Sequence, residues 1–279
     1  MSQDDIGAAA IDEIETAAGD SEAGLGSVSR PVMLVLQILV GFAFMAVWYA
    51  SSGTLVDSFM ISDPVAVARK TYGWFASGEI YEHMWATIYA TIIGFVIGSL
   101  AGIVGGVMLG LSPFLSRLLN PYIWAFNALP KVALAPLFIL WFGLGIESKI
   151  ALAAVLVVFI VFVNTFAGVR EVDHDLVDSL KLMKASRWQL LTKVVLPSAT
   201  SWIFVGLKTA VPYAVIGTII GELIAANKGL GYLVQKAGSE FDTAGVFAAL
   251  VVIAIIAVII NELVGLLQSR LENWKVVSR

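Results

Sequence analysis

Three long stretches without charged side chains limit what this chain can fold into. No Asp, Glu, Lys or Arg occurs in residues 31–56, 84–116 or 150–169. A helix crosses the hydrocarbon core of a bilayer with about 20 apolar residues, so each stretch is long enough to do so. Charged residues make up 14% of the chain, against about 25% in soluble domains. We therefore expect an all-α polytopic membrane protein, folded as a helical bundle.

The apolar segments predict six transmembrane helices. They cover residues 32–50, 84–111, 118–144, 150–169, 199–226 and 246–267. The third segment contains Pro130 and Pro136. Because proline lacks an amide hydrogen and clashes with the preceding turn, we expect this span to be interrupted.

The positive charges predict the orientation of the spans, because short cytoplasmic loops are enriched in Lys and Arg. With the amino terminus in the cytoplasm, ten cations fall on the inner side and five on the outer side. The inner cations are Arg30, Arg117, Arg170, Lys181, Lys184, Arg187, Lys193, Arg270, Lys275 and Arg279. The outer cations are Arg69, Lys70, Lys149, Lys228 and Lys236. We therefore expect both termini to be cytoplasmic.

The beginning of the chain differs from the rest in composition. Residues 1–29 contain seven acidic residues and neither Lys nor Arg. The acidic residues are Asp4, Asp5, Asp12, Glu13, Glu15, Asp20 and Glu22. A segment so poor in bulky apolar side chains is typical of disorder. We expect residues 1–30 to form a disordered acidic cytoplasmic tail and residues 31–279 to form the transmembrane domain.

A polar segment, LVDSLKLMKASRWQLLTKVVLP at residues 176–197, separates the fourth and fifth predicted spans. Its apolar residues keep helical spacing in two groups, which are Leu176, Leu180 and Met183, then Trp188, Leu191 and Val195. This predicts two short amphipathic helices on the cytoplasmic side. They could form a docking platform for a protein or lie on the lipid surface, and composition favours neither.

The residues between and after these helices predict where each helix ends. Ser186 and Gln189 have the spacing of a capping box, in which the Ser accepts from the amide three residues on and the Gln reaches back. One helix should therefore end near Lys184 and the next begin at Ser186. Pro197 should end the second helix, because a residue before proline avoids the helical region.

The second span carries a glycine at every fourth position. These residues are Gly94, Gly98, Gly102, Gly106 and Gly110. Glycines in such a row let another backbone approach closely. We favour tight helix packing inside one subunit, and the alternative is a sliding contact that moves during transport.

Charged residues inside spans are candidates for function. Lys131 lies between the two prolines of the third span, and Glu222 lies near the outer end of the fifth. Lys131 would suit an anion in a pathway, or it could be a structural lysine bonded to backbone carbonyls. Lys208 and Glu262 lie closer to span ends, where long side chains can reach the interface.

The polar segment resembles the EAA loop of ABC importer permeases, written E-A-A, three residues, G, nine residues, I-x-L-P. Here Asp178-Ser179-Leu180 is followed after three residues by Lys184 and after nine more by Val194-Val195-Leu196-Pro197. The spacing matches at each step, and the loop covers about residues 171–197. The largest departure is Lys for Gly, since glycine would allow a positive φ that costs other residues about 1 kcal/mol.

Three further stretches are similar to the nitrate, sulfonate and taurine branch of that family. They are NALPKVALAPLFILWFGLGIESK at 127–149, GELIAANKGLGYLV at 221–234 and ENWK at 272–275. The resemblance covers most of the chain and implies the type I importer transmembrane fold in a bacterial inner membrane. It does not identify the solute.

The resemblance also implies an assembly. Two permease copies, as a homodimer or a pair of different chains, would form the pathway within membrane lipid. Two cytoplasmic ATPase subunits would bind ATP and Mg²⁺, so this chain would need no cofactor, and an extracytoplasmic binding protein would deliver the solute. No nucleic acid is expected as a partner.

The resemblance assigns candidate roles to particular residues. The ATPase-coupling residues would be Asp178, Ser179, Leu180, Lys184, Ala185, Ser186, Arg187, Trp188 and Pro197. Arg187 would pair with an ATPase carboxylate and Trp188 would fill a groove on the ATPase, unless Trp188 packs under its own loop or at the lipid interface. The pathway candidates come instead from the charges inside spans and the prolines of the third span; they are Pro130, Lys131, Pro136 and Glu222.

Other function classes have weaker support. The chain contains no G-x-x-x-x-G-K-[ST] sequence for nucleotide phosphates. The histidines, His83 and His174, are too few and too far apart to predict a metal site. A membrane-embedded enzyme would need clustered catalytic groups. The main alternative is an ion-coupled secondary transporter, which usually has carboxylates at mid-membrane and paired broken helices.

Overall fold

The computed structural model describes residues 29–271, and helices dominate that range. The helices are α1 (Arg30–Ser51), α2 (Ser58–Ile61), α3 (Pro64–Ser77), α4 (Glu79–Leu111), α5 (Pro113–Ala128), α6 (Ala135–Phe142), α7 (Ile146–Arg170), α8 (His174–Leu182), α9 (Arg187–Ile224), α10 (Leu230–Ser239) and α11 (Thr243–Leu271). A short 3₁₀ turn at Lys131–Leu134 precedes α6. The predicted tail lies outside the described residues except for its last two positions, and so does ENWK.

The predicted spans correspond to helices long and apolar enough to cross a membrane. Within residues 29–271, α1, α4, α7, α9 and α11 meet that description individually. The pair Pro113–Ala128 and Lys131–Phe142 meets it together but is bent by 82°. This pair lies at the predicted third span and is interrupted as expected. The all-α membrane bundle is confirmed, with five spans in the described residues, or six if the bent pair is one span. Helices α4 and α7 begin earlier than predicted, at Glu79 and Ile146.

The chain divides into two compact units between Pro64 and Val65. In the first, α1 is exposed along its length. The turn after α1 is closed by a hydrogen bond from Trp48 Nε1 to the carbonyl of Ile61, at 3.2 Å. Asp57 caps α2 by accepting from the amide of Phe59 at 2.9 Å.

In the second unit, α7 is the central helix and packs against both α4 and α9. The face of α9 that contacts α7 carries small side chains, so the two helices approach closely. Val157 and Val161 of α7 are fully buried with Ala210 and Ala214 of α9. Helices α10 and α11 pack on each other and on α9.

The glycine row of α4 lies against α7. A Cβ atom on Gly98 would lie 2.6 Å from the carbonyl oxygen of Ala154, and one on Gly102 would lie 2.7 Å from that of Val158. Real Cβ atoms do not approach so closely, so the two backbones meet where side chains are missing. This is the arrangement that the packing interpretation requires.

Pro197 does not end a helix, and that prediction is wrong. Helix α9 runs from Arg187 to Ile224 without interruption and contains a π-helical turn at Leu191–Val195. At the end of this turn the amide of Leu196 donates to the carbonyl of Leu191, five residues back. A proline has no amide to donate and crowds the preceding turn, and the wider π turn accommodates it. The second amphipathic helix and the fifth span are therefore one helix.

Candidate functional site

The α8–α9 segment, residues 171–195, is folded by local hydrogen bonds. Helix α8 begins after Asp173, whose side chain accepts from the amide of Asp175 at 2.8 Å. At its other end, the amide of Ala185 donates to the carbonyl of Leu180 and the amide of Lys184 to that of Lys181. These two bonds define a Schellman turn, in which Lys184 occupies the left-handed position.

Lys184 has a φ of 57°. The EAA-loop pattern that this segment resembles has glycine at this position, and the positive φ here is one that glycine adopts without strain. The turn forms with Lys184 in spite of the steric cost of that conformation.

Replacing Lys184 with glycine is expected to raise the free energy of unfolding by about 0.5–1 kcal/mol, because it removes the left-handed strain. Thermal unfolding of the purified protein measures the change. Lys181→Gly is the matched control, since Lys181 lies inside α8 and glycine there should cost about 1 kcal/mol. Equal effects of both substitutions would contradict the assigned turn.

The capping box at the start of α9 is confirmed. Ser186 Oγ accepts from the amide of Gln189 at 3.2 Å, and Gln189 Oε1 accepts from the amide of Ser186 at 2.7 Å. This reciprocal pair fixes the direction in which α9 leaves the turn.

The inner side of the α8–α9 segment is a small apolar core. Its buried residues are Val169, Val172, Val194, Val195 and Ala199, with Val177, Leu180 and Leu191 packed against them. Of the predicted first apolar group, Leu180 packs inward, whereas Leu176 and Met183 are exposed. Met183 departs from the predicted face because it follows the last residue of α8, where the chain turns away.

The turn presents bulky apolar side chains to the outside. Leu182 is 85% exposed and Met183 is 77% exposed, and we call these two residues the exposed tip. Trp188 is 70% exposed, so it does not pack under its own loop. Sequence reasoning missed Leu182, although its place directly before a left-handed turn could have indicated it.

Charged residues flank the exposed tip. Lys181 Nζ and Asp178 form an exposed ion pair at 2.9 Å, which contributes little stability in such a setting. Ser179 and Arg187 are exposed, and Ala185 is half-buried. Arg187 lines a groove of about 930 Å³ between this segment and the turn that joins α4 to α5.

The break in the third span is capped by Lys131. Helix α5 ends at Ala128 because Pro130 follows, which leaves the carbonyl of Asn127 near the end of the helix without a further turn. Lys131 Nζ donates to that carbonyl at 2.9 Å and to Asn127 Oδ1 at 3.2 Å. It also lies 4.7 Å from the centre of the Phe159 ring. The cation thus stabilises the negative end of α5, as the structural interpretation of Lys131 requires.

Pro136 lies in the first turn of α6. A proline is tolerated there because the amide would lack a helical acceptor in any case. The two prolines therefore end one half of the span and begin the other.

Glu222 lies at the far end of α9 from the α8–α9 segment and is 2% exposed. Its carboxylate accepts from Thr87 Oγ1 of α4 at 2.8 Å and from the amide of Gly231 at 2.8 Å. The same Thr87 hydroxyl accepts from the amide of Leu230 at 2.8 Å. This polar cluster joins α4, α9 and the start of α10.

Two further buried groups complete this end of the molecule. Lys149, which the sequence suggested as a loop cation, lies inside α7 and is 4% exposed. Its ammonium donates to the carbonyl of Leu144 at 2.7 Å and to that of Ala225. The amide of Gly229 donates to His83 Nδ1 at 3.1 Å. The corner between α9 and α10 is therefore held by polar groups from α4 and α7.

An ion pair ties α3 to the start of α11. Lys70 Nζ lies 2.6 Å from Asp242 Oδ2. Partial burial by itself would raise the pKa of Asp242, but the hydrogen bond and charge of Lys70 and the Gly245 amide outweigh it, so the pKa lies below its usual value. Asp242 therefore stays ionised to lower pH than a free carboxyl would.

The arrangement of spans, a broken third helix and a capped turn between α7 and α9 can be compared with known proteins. Residues 94–274 match the family described as binding-protein-dependent transport system inner membrane component. The chain belongs to this family. The permease is therefore a membrane subunit of the ABC importer class, as the EAA-like loop indicated.

Several named transport permeases are similar to this chain over most of their length. The permease is 36% identical to the riboflavin transport system permease protein RibX of Chloroflexus aurantiacus over 89% of its own chain and 94% of that protein. It is 32% identical to the taurine transport system permease protein TauC of Escherichia coli, over 88% of the permease and 91% of that protein. A putative aliphatic sulfonates transport permease, SsuC of Bacillus subtilis, is 30% identical over 85% of the permease and 87% of that protein.

Solved structures support the fold. An inward-facing MetNI methionine ABC transporter chain matches with a TM-score of 0.57 at 21% identity, covering 67% of the permease and 91% of that chain. An amino acid ABC transporter solved with histidines matches with a TM-score of 0.53 at 17% identity, and the match covers 78% of the permease and 98% of that chain. The permease therefore has the fold of importer transmembrane subunits.

Proposed function

We propose that the permease forms the membrane pathway of an ATP-driven importer for a small anionic solute, which an extracytoplasmic binding protein delivers. The observation that carries this proposal is the capped turn with its exposed tip, in a chain that belongs to the importer family. Both termini are cytoplasmic in this proposal, so the tip faces the cytoplasm. A second copy of the chain completes the pathway.

The exposed tip and Trp188 are the contact for the ATPase. Bulky apolar side chains at a rigid turn are typical of interface anchors, because their burial against a partner is favourable and little freedom is lost. The Schellman turn and the capping box hold α8 and the start of α9 in one arrangement. Because α9 continues into the fifth span, a displacement of its first turn by the ATPase displaces the span as well. ATP and Mg²⁺ are bound by the ATPase subunits.

The anionic solute is proposed from the broken span and the relatives. Lys131 caps α5 through neutral oxygens of Asn127. No carboxylate pairs with it among the described residues, so its positive charge remains at the break, and breaks in spans supply solute sites in other transporters. Taurine and aliphatic sulfonates, named for two relatives, carry a sulfonate group. Riboflavin is named for a third relative, so it belongs in the panel of solutes to be tested.

The first experiment recovers the tagged permease from its native membrane with ADP and vanadate, followed by intact mass analysis. An ATPase at one copy per permease supports the proposal. Uptake of taurine, an alkyl sulfonate and riboflavin is then measured with the recovered complex. The permease recovered alone, with uptake driven by an ion gradient instead of ATP, would favour the secondary transporter.

A double substitution tests the exposed tip. Leu182→Asp with Met183→Asp should lower ATPase recovery by about 30-fold, the loss of a hot-spot contact of about 2 kcal/mol. Leu182→Met with Met183→Leu keeps the apolar surface and is the matched control. Full recovery of the ATPase with the Asp variant would show that the partner docks elsewhere.

A further inference from the structure

The groove beside the α8–α9 segment has a mixed lining. Its volume is about 930 Å³, and it is bounded by the α4–α5 turn, the end of α7 and the start of α9. The apolar part of the lining includes Leu111, Pro113, Phe114, Val172, Leu190 and Leu191. The charged part consists of Arg170, Lys181 and Arg187, with no carboxylate among the lining residues.

Two of these cations are available to a ligand. Lys181 pairs with Asp178, whose negative charge compensates that of the ammonium group. Among the residues that the structure describes, no carboxylate lies within ion-pair distance of Arg170 or Arg187. Arg170 lies against the Phe166 ring at 5.5 Å, which orients its guanidinium without neutralising it.

The groove is located where membrane helices end. Leu111 is the last residue of α4, Arg170 is the last residue of α7, and Arg187 is the first of α9. Phe114 is exposed beside the groove. Aromatic rings and cations together at span ends are typical of the boundary between hydrocarbon and lipid headgroups.

We propose that this groove binds the headgroup of an anionic phospholipid. A guanidinium matches phosphate oxygens in bidentate geometry, and basic pockets between membrane helices are suited to such headgroups. The phosphate lies between Arg170 and Arg187, and the acyl chains follow Leu111 and Phe114 towards the hydrocarbon. The proposal requires only that the chain spans a membrane, and it stands apart from the proposed solute.

A lipid in this position would connect two parts of the permease. Arg170 belongs to the central helix α7, whereas Arg187 belongs to the first turn of α9 beside the exposed tip. One phosphate bound to both would therefore fix the α8–α9 segment relative to the bundle. Leu182 and Met183 do not line the groove, so the exposed tip stays available to a protein partner.

The test uses the full chain in nanodiscs that contain phosphatidylglycerol and phosphatidylcholine, followed by native mass spectrometry of the lipids that remain bound. Wild type should retain phosphatidylglycerol in preference to phosphatidylcholine. Arg170→Gln with Arg187→Gln should weaken that retention roughly 25-fold, about fivefold for each cation near an anionic lipid. Arg117→Gln with Lys193→Gln is the matched control, because both cations are exposed and neither lines the groove.

Three results would overturn the proposal. Phosphatidylglycerol could be retained no better than phosphatidylcholine, or the control could lose as much lipid as the groove variant. Inorganic phosphate could displace the bound lipid completely at millimolar concentration, which would assign the groove to a free anion. Arg170→Lys with Arg187→Lys keeps both charges without the bidentate geometry, so it should retain phosphatidylglycerol at a level between wild type and the Gln variant, a graded effect that misfolding would not give.

Discussion

Gly98→Ala is expected to destabilise the permease, although alanine is the better helix former. The added Cβ would lie 2.6 Å from the carbonyl oxygen of Ala154 and 2.7 Å from the Cβ of Val157. Neither atom is the end of a flexible side chain, so α4 and α7 must move apart. Overpacking of this kind costs about 1–3 kcal/mol, which exceeds the gain of about 1 kcal/mol in helix propensity. Gly98→Leu should prevent the folded permease from accumulating.

Gly105 is the matched control on the same helix. A Cβ at Gly105 would meet only the Phe162 ring, at 3.3 Å, and that ring can turn aside. Gly105→Ala should therefore leave the free energy of unfolding unchanged or raise it by up to about 1 kcal/mol. Unfolding of both variants in mixed detergent micelles measures the difference. A Gly98→Ala variant as stable as Gly105→Ala would mean that α4 and α7 are not tightly packed and would favour the sliding contact.

Features set by local sequence could be predicted. Uncharged runs indicate spans because hydrocarbon excludes charge over the whole length of a helix. The capping box of Ser186 and Gln189 involves residues three apart and is confirmed. The turn at Lys184 was placed correctly because the spacing of its neighbours determines where α8 ends.

Features that depend on distant partners could not be predicted. Lys149 is buried because it reaches the carbonyl of Ala225, 76 residues away, and nothing near Lys149 in the sequence indicates that partner. The prediction at Pro197 was wrong for a different reason. One π turn changes the hydrogen-bond register before the proline, and residue preferences do not distinguish that turn from a helix end.

Glu222→Ala is expected to lower the free energy of unfolding by about 3 kcal/mol, because removing one partner leaves other buried groups unsatisfied. The amide of Gly231 and the hydroxyl of Thr87 would lose their acceptor. Lys149 lines the same cavity as Glu222 and would lose the opposing charge. Glu262→Ala is the matched control, since Glu262 is an exposed carboxylate on α11, and it should change stability by less than about 0.5 kcal/mol.

A double-mutant cycle measures the hydrogen bond between the side chains of Thr87 and Glu222. Thr87→Val removes the hydroxyl that donates, and Glu222→Ala removes the carboxylate that accepts. The coupling between the two positions should be about 0.6–1.7 kcal/mol, the range for hydrogen bonds between membrane helices. Thermal unfolding of the wild type, both single variants and the double variant gives this value. A coupling of zero would mean that Thr87 and Glu222 act separately, and the corner between α9 and α10 would then depend on Lys149 and His83.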